Sequence, residues 1–127
     1  MVDYLATGAE LVERGEAGWL RTYREHERGV APLVAAGEQD ITIDVPREYL
    51  VHAARRVGLH LEREVTQAAW LRELGLDDLV ADARREWDAR AHVGDLEAVR
   101  HRSRVSEGAA LTDPAGLGAH RVLVFTR

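Results

Sequence analysis

Two short stretches of this chain carry opposite polarity patterns, and together they constrain its fold more than any other feature. From residue 59 to 65 the chain alternates, with Leu59, Leu61 and Val65 on one face and His60, Glu62 and Glu64 on the other. A period of two with one polar face marks a strand wetted on one side. Near the end, Val122, Leu123, Val124 and Phe125 are apolar in succession. Such a run suits a strand covered on both faces. One half-exposed strand, one fully covered strand and helical patterns between them predict an α/β chain with a small mixed sheet.

The helical signals are local. Thr7 to Glu16 can form a short helix closed by Gly15 or Gly18. Asp44 offers an N-cap and Pro46 an early helical position, after which Leu50, Ala53, Ala54 and Val57 follow at helical spacing up to Gly58. Thr66 can cap a short helix carrying Trp70, Leu71 and Leu74, stopped by Gly75. A longer helix from about Asp77 is expected to bury Leu79, Val80, Ala83 and Trp87. After the break at His92 to Gly94, Asp95 caps another through Leu96 and Val99 to about Glu107. Asp113, Pro114, Gly116 and Gly118 form a turn into the last strand. Met1 to Tyr4 reads as a strand stub. From Gly18 to Ile43 no period is sustained, and this long stretch reads as irregular, which in a compact domain usually signals function.

Length and charge exclude several classes. At 127 residues, 46% hydrophobic and 31% charged, the chain is long enough for one domain with a modest core. A net charge of −5 opposes nucleic acid as the main partner, despite the local cluster Arg100, Arg102 and Arg104. With no cysteine there is neither disulfide nor thiolate chemistry. The absence of a leader pattern and of any apolar run near 20 residues points to a cytoplasmic protein without a membrane partner. The histidines are scattered without metal-ligand spacing, and Ser103 and Ser106 sit in a charged helical segment without a nucleophile elbow.

A series of short signatures adds a family resemblance. They are Asp3-Tyr4; Leu20-Arg21 with Tyr23 and His26; Gly37 with Asp40-Ile41-Thr42 and Val45; Thr66-Gln67 with Leu71, Leu74 and Gly75; and Leu111 to Gly118. In this order they resemble the carboxy-terminal part of the MidA-like S-adenosylmethionine-dependent methyltransferases, which include a mitochondrial complex I assembly factor. Leu5 stands where the family usually has glycine, and Trp19 replaces a small residue. The glycine-rich cofactor turn, the acidic residue that holds the ribose and the acidic motif after strand four have no counterpart here.

The resemblance implies the carboxy-terminal portion of a class I, Rossmann-like fold. In it Met1 to Tyr4 is the end of strand five, residues 18–45 are a family-specific insertion, Pro46 to Val57 is a helix, Leu59 to Val65 is strand six and Ala119 to Thr126 is strand seven, inserted between five and six. The whole of 1–127 then forms a single domain. Asp3, Tyr4, Arg21, Tyr23, His26, Asp40 and Thr42 become substrate-groove or insertion-anchoring residues, with no catalytic residue assigned. S-adenosylmethionine is the implied cofactor, with no binding expected of this chain alone. A protein is the implied substrate, and the partner would be a complementary amino-terminal half. Each site residue also has a plainer reading. Asp40 and Thr42 can satisfy backbone donors ahead of a helix, Arg21 can hold a carboxylate, Tyr23 can be half-buried core, and His26 can be solvated. Two further functions stay open: a non-catalytic protein-binding module, or an assembly module whose unpaired sheet edge drives self-association.

Overall fold

A computed structural model of the chain describes the backbone of residues 2–3 and, in full, residues 5–34 and 36–127. In chain order its elements are β1 (Val2–Asp3), β2 (Leu5–Ala6), α1 (Gly8–Arg14), α2 (Glu16–Trp19), β3 (Leu20–Arg24), β4 (Glu27–Arg28), β5 (Asp40–Ile43) and β6 (Val45–Pro46). There follow α3 (Arg47–Arg56), β7 (His60–Thr66), α4 (Gln67–Glu73), α5 (Leu76–Arg90), α6 (Leu96–Thr112), a 3-10 turn (Leu117–Ala119) and β8 (Arg121–Thr126). The result is a small mixed α/β fold with three sheets: β1-β8-β7, the parallel pair β2-β6, and antiparallel β4-β3-β5. Two compact units are present, one built on Arg63–Val124 with Val2, the other on Asp3–Glu62 with Phe125–Arg127.

In the Arg63–Val124 unit the apolar run falls on the central strand β8, where Leu123 is fully buried and Val122 nearly so. Glu64 interrupts the alternation expected of β7. It is half-buried because Arg121 donates to its carboxylate from Nη2 at 2.9 Å. Thr66 caps α4 as expected, its Oγ1 accepting from the Ala69 N–H at 3.2 Å. Gln67 donates from its backbone to His120 O at 2.7 Å and from Nε2 to Leu111 O at 3.1 Å. Gly75, in the left-handed region at φ 91°, separates α4 from α5.

Helices α5 and α6 pack on each other through small residues: Ala83 on one, Ala98, Val105 and Gly108 on the other. A Cβ at Gly108 would lie 2.4 Å from Val80 Cγ2, so glycine here permits close approach and does not end the helix. Hence α6 continues past Glu107 to Thr112. Leu79, expected in the buried stripe of α5, is 56% exposed, and Leu96 and Val99 on α6 are exposed as well, since the small residues set the phase of both helices. Asp95 caps α6, with Oδ1 accepting from the Ala98 N–H at 2.9 Å. That bond, and then the hydrogen bond from Arg90, hold its carboxyl below the usual carboxylate range.

In the other unit, α1 carries a capping box in which Thr7 Oγ1 accepts from the Glu10 N–H and Glu10 Oε2 from the Thr7 N–H. Gly15 closes it. Helix α3 part-buries Leu50, Ala53 and Ala54 of the expected stripe and buries Val51 beside them, while Val57, at its C-cap, is 72% exposed. Asp44 is not its cap. The cap position falls on Pro46, without a side-chain bond, because the Asp44 carboxylate is taken by two arginines.

The stretch read as irregular is mostly ordered. β3 turns back into β4 and then pairs with β5. The signal was hidden in the turn. Glu25 and His26 both take positive φ, 51° and 71°, in the two-residue loop between paired Arg24 and Glu27, where Asn-Gly is the usual sign.

Candidate functional site

The β4-β3-β5 sheet gathers most of the residues singled out from sequence. Arg21 pairs with Thr42, and Tyr23 pairs with both Asp40 and Arg28. Cross-strand partners point to the same side, so these five share one face. The Arg28 guanidinium lies 5.6 Å from the centre of the Tyr23 ring, within cation–π range. His26 stands apart at the exposed hairpin tip. Asp3 belongs to β1, where the backbone alone is described, and Tyr4 lies outside the described residues.

Arg21 is held from below. Asp44, 6% exposed, accepts from the Arg21 Nη2 and pairs with Arg14 Nη1 at 2.8 Å. The Asp44 backbone N–H donates to Trp19 O at 3.0 Å. One carboxylate thus joins α1, β3 and the β5–β6 junction. Its burial is compensated by two cations and a hydrogen-bonded backbone.

The opposite face carries Leu20, Thr22, Ile41 and Ile43. Buried Thr22 donates from Oγ1 to Val30 O at 2.5 Å, and Gln39 Nε2 donates to Ala31 O and Val34 O at 3.0 and 2.8 Å. Gly29 is locked between them, because a Cβ there would meet Gln39 Oε1 at 2.5 Å and Thr22 Oγ1 at 2.8 Å. These bonds tie Val30 to β3 and Ala31 and Val34 to Gln39. Asp44, Gln39 and Thr22 were missed as anchors. The available signal was a lone acid at Asp44 with Arg14 and Arg21 upstream, but helix-cap chemistry explained that acid equally well.

An open groove of about 380 Å³ runs beside this sheet, lined by Glu16, Leu20, Arg21, Arg28, Gly29 and Pro32 among others. A second recess, about 320 Å³ and largely apolar, lies between Leu11, Trp19, Ile43 and Pro46. No cluster of three His, Asp or Glu side chains suited to a metal occurs among the described residues. The face therefore offers an ordered guanidinium, a phenol and a cation over its ring. That chemistry suits binding and orienting a partner.

No family model and no curated protein matches the chain. It is similar to two solved structures from Burkholderia thailandensis. One is a COG1565 superfamily member and candidate methyl transferase bound to S-adenosyl-homocysteine, at 26% identity and TM-score 0.73. The other is a native COG1565 superfamily protein, at 26% identity and TM-score 0.74. Each match covers 99% of this chain, which spans only 30% and 32% of those proteins. The fold thus resembles a methyltransferase-like superfamily. Among the described residues, no helix is long and apolar enough to cross a membrane.

Proposed function

We propose that this chain is the carboxy-terminal part of a MidA-like, S-adenosylmethionine-dependent protein methyltransferase, inactive alone and completed by an amino-terminal part that holds the cofactor. The observation that carries this reading is a match over 99% of the chain to about a third of a protein that binds S-adenosyl-homocysteine. The strand order β1-β8-β7 supports it, since strand seven of a class I methyltransferase lies between strands five and six. In this role residues 18–45 are the insertion that lines the protein-substrate groove. Arg21, Tyr23, Asp40 and Thr42 form its ordered face, His26 its tip, and Asp3 and Tyr4 the end of strand five. Methyl transfer is an in-line displacement, and this part would contribute orientation of the acceptor.

A protein-docking module derived from the same fold is the second reading. It is favoured by β1, which among the described residues is the outer strand of its sheet and so offers a border to a partner.

Calorimetric titration with S-adenosyl-homocysteine distinguishes the two. We expect no heat from the chain alone, and binding once it is combined with a polypeptide that supplies the glycine-rich turn. Micromolar binding by the folded chain alone would overturn the division of labour. Silence in the combined sample, with both parts folded, would favour the docking module.

A further inference from the structure

The α5–α6 hairpin carries a feature that the methyltransferase reading does not use. Trp87 is half-buried on α5, and two guanidiniums lie against its ring: Arg84 at 5.4 Å from the same helix and Arg102 at 5.9 Å from α6. Arg85, Arg90 and Arg100 on these helices are each paired with a carboxylate, of Asp82, Asp95 and Glu97 respectively. Arg84 and Arg102 form no ion pair among the described residues, and Asp88, one turn beyond Arg84, does not close on it. Their order comes from the indole instead. A stacked guanidinium keeps its N–H edge for an outside acceptor and loses little further freedom on binding one.

Apolar surface adjoins this pair. Val99 precedes Arg102 by three residues on α6, so the two are neighbours on its surface, and it is 57% exposed. The face therefore presents two cations without an ion pair beside an exposed apolar side chain. We propose that this face of the hairpin docks an acidic amphipathic segment of a partner protein, whose carboxylates engage Arg84 and Arg102 while its apolar side chains cover Val99. Carboxylates match the forked guanidinium donors bidentately. Nucleic acid fits less well, because both cations already lie against the Trp87 indole, which is then not free to stack on a base.

The test uses a synthetic helical peptide with a Glu pair and a Leu pair on one face, a copy with Gln in place of Glu, and a single-stranded oligonucleotide of equal charge. Binding is followed by amide shifts of α5 and α6. We expect the Glu peptide to shift residues around Arg84, Trp87, Val99 and Arg102, and the Gln copy to bind at least tenfold more weakly. Arg84→Gln with Arg102→Gln should abolish the shifts while circular dichroism stays unchanged, and Val99→Ser should weaken them. Equal binding by the Gln copy or by the double variant, no binding of the Glu peptide, or stronger binding of the oligonucleotide would overturn the proposal.

Discussion

The β4-β3-β5 sheet and the α5–α6 hairpin achieve order by different means. The hairpin is held by small apolar residues, Ala83, Ala98, Val105 and Gly108, at close helix approach. The sheet is held by polar groups in fixed geometry: Asp44 between two arginines, Thr22 on Val30 O, and Gln39 on two carbonyls. Its aliphatic residues Ile41 and Ile43 stay about half exposed. Apolar packing is tolerant of detail and resists local opening. Polar anchoring specifies one arrangement and fails as a unit when a partner is lost.

The largest expected effects separate these two means. Leu123→Ala removes a fully buried side chain from β8 and should cost about 4 kcal/mol in urea unfolding, as large-to-small core changes do. Asp44→Ala strands two arginines and should cost about 3 kcal/mol, the low end for a broken buried pair because Arg14 remains 40% exposed. Its signature is local. Amide exchange should accelerate in β3 and β5 while α5 and α6 keep their protection. Uniform acceleration along the whole chain would erase the contrast between the regions.

A smaller effect probes the hairpin itself. Gly108→Ala places a methyl 2.4 Å from Val80 Cγ2, and the stiff rotamer of valine leaves little room to yield. The expected loss is roughly 1–3 kcal/mol, as for other overpacked sites. Val80→Ala should be costly alone yet recover part of the Gly108→Ala loss in the double variant. Strict additivity would mean that the two side chains do not meet.

The same contrast explains what could be read from the sequence. The caps Thr66 and Asp95, the covered strand at Val122–Phe125 and the helices between them were legible, because apolar periodicity and capping act over a few residues. The phase of α5 and α6 was not, since Gly108 looks like a terminator until its neighbour Val80 is known. The sheet was largely hidden, because Arg21, Tyr23 and Thr42 are polar residues on a short strand pair and their register depends on Asp44, Gln39 and Thr22. Four of the candidate site residues do come together on one face, although composition alone offered no reason for them to meet.

The smallest expected effect lies at the hairpin tip. Glu25 and His26 both occupy the left-handed region, where side chains with a Cβ are disfavoured by about 1–2 kcal/mol per residue. Asn and Gly are the residues that this turn ordinarily uses. Glu25→Asn with His26→Gly should therefore stabilise the sheet by about 1 kcal/mol, part of the gain being offset by the entropy that glycine restores to the unfolded chain. Slower amide exchange at Tyr23 and Arg28, with no change in α5 and α6, is the expected readout. A loss of stability would show that the Glu25 and His26 side chains support the sheet, and would move the tip into its anchoring network beside Asp44 and Gln39. A gain in stability with weaker binding of a partner would instead mark the strained pair as retained for contact.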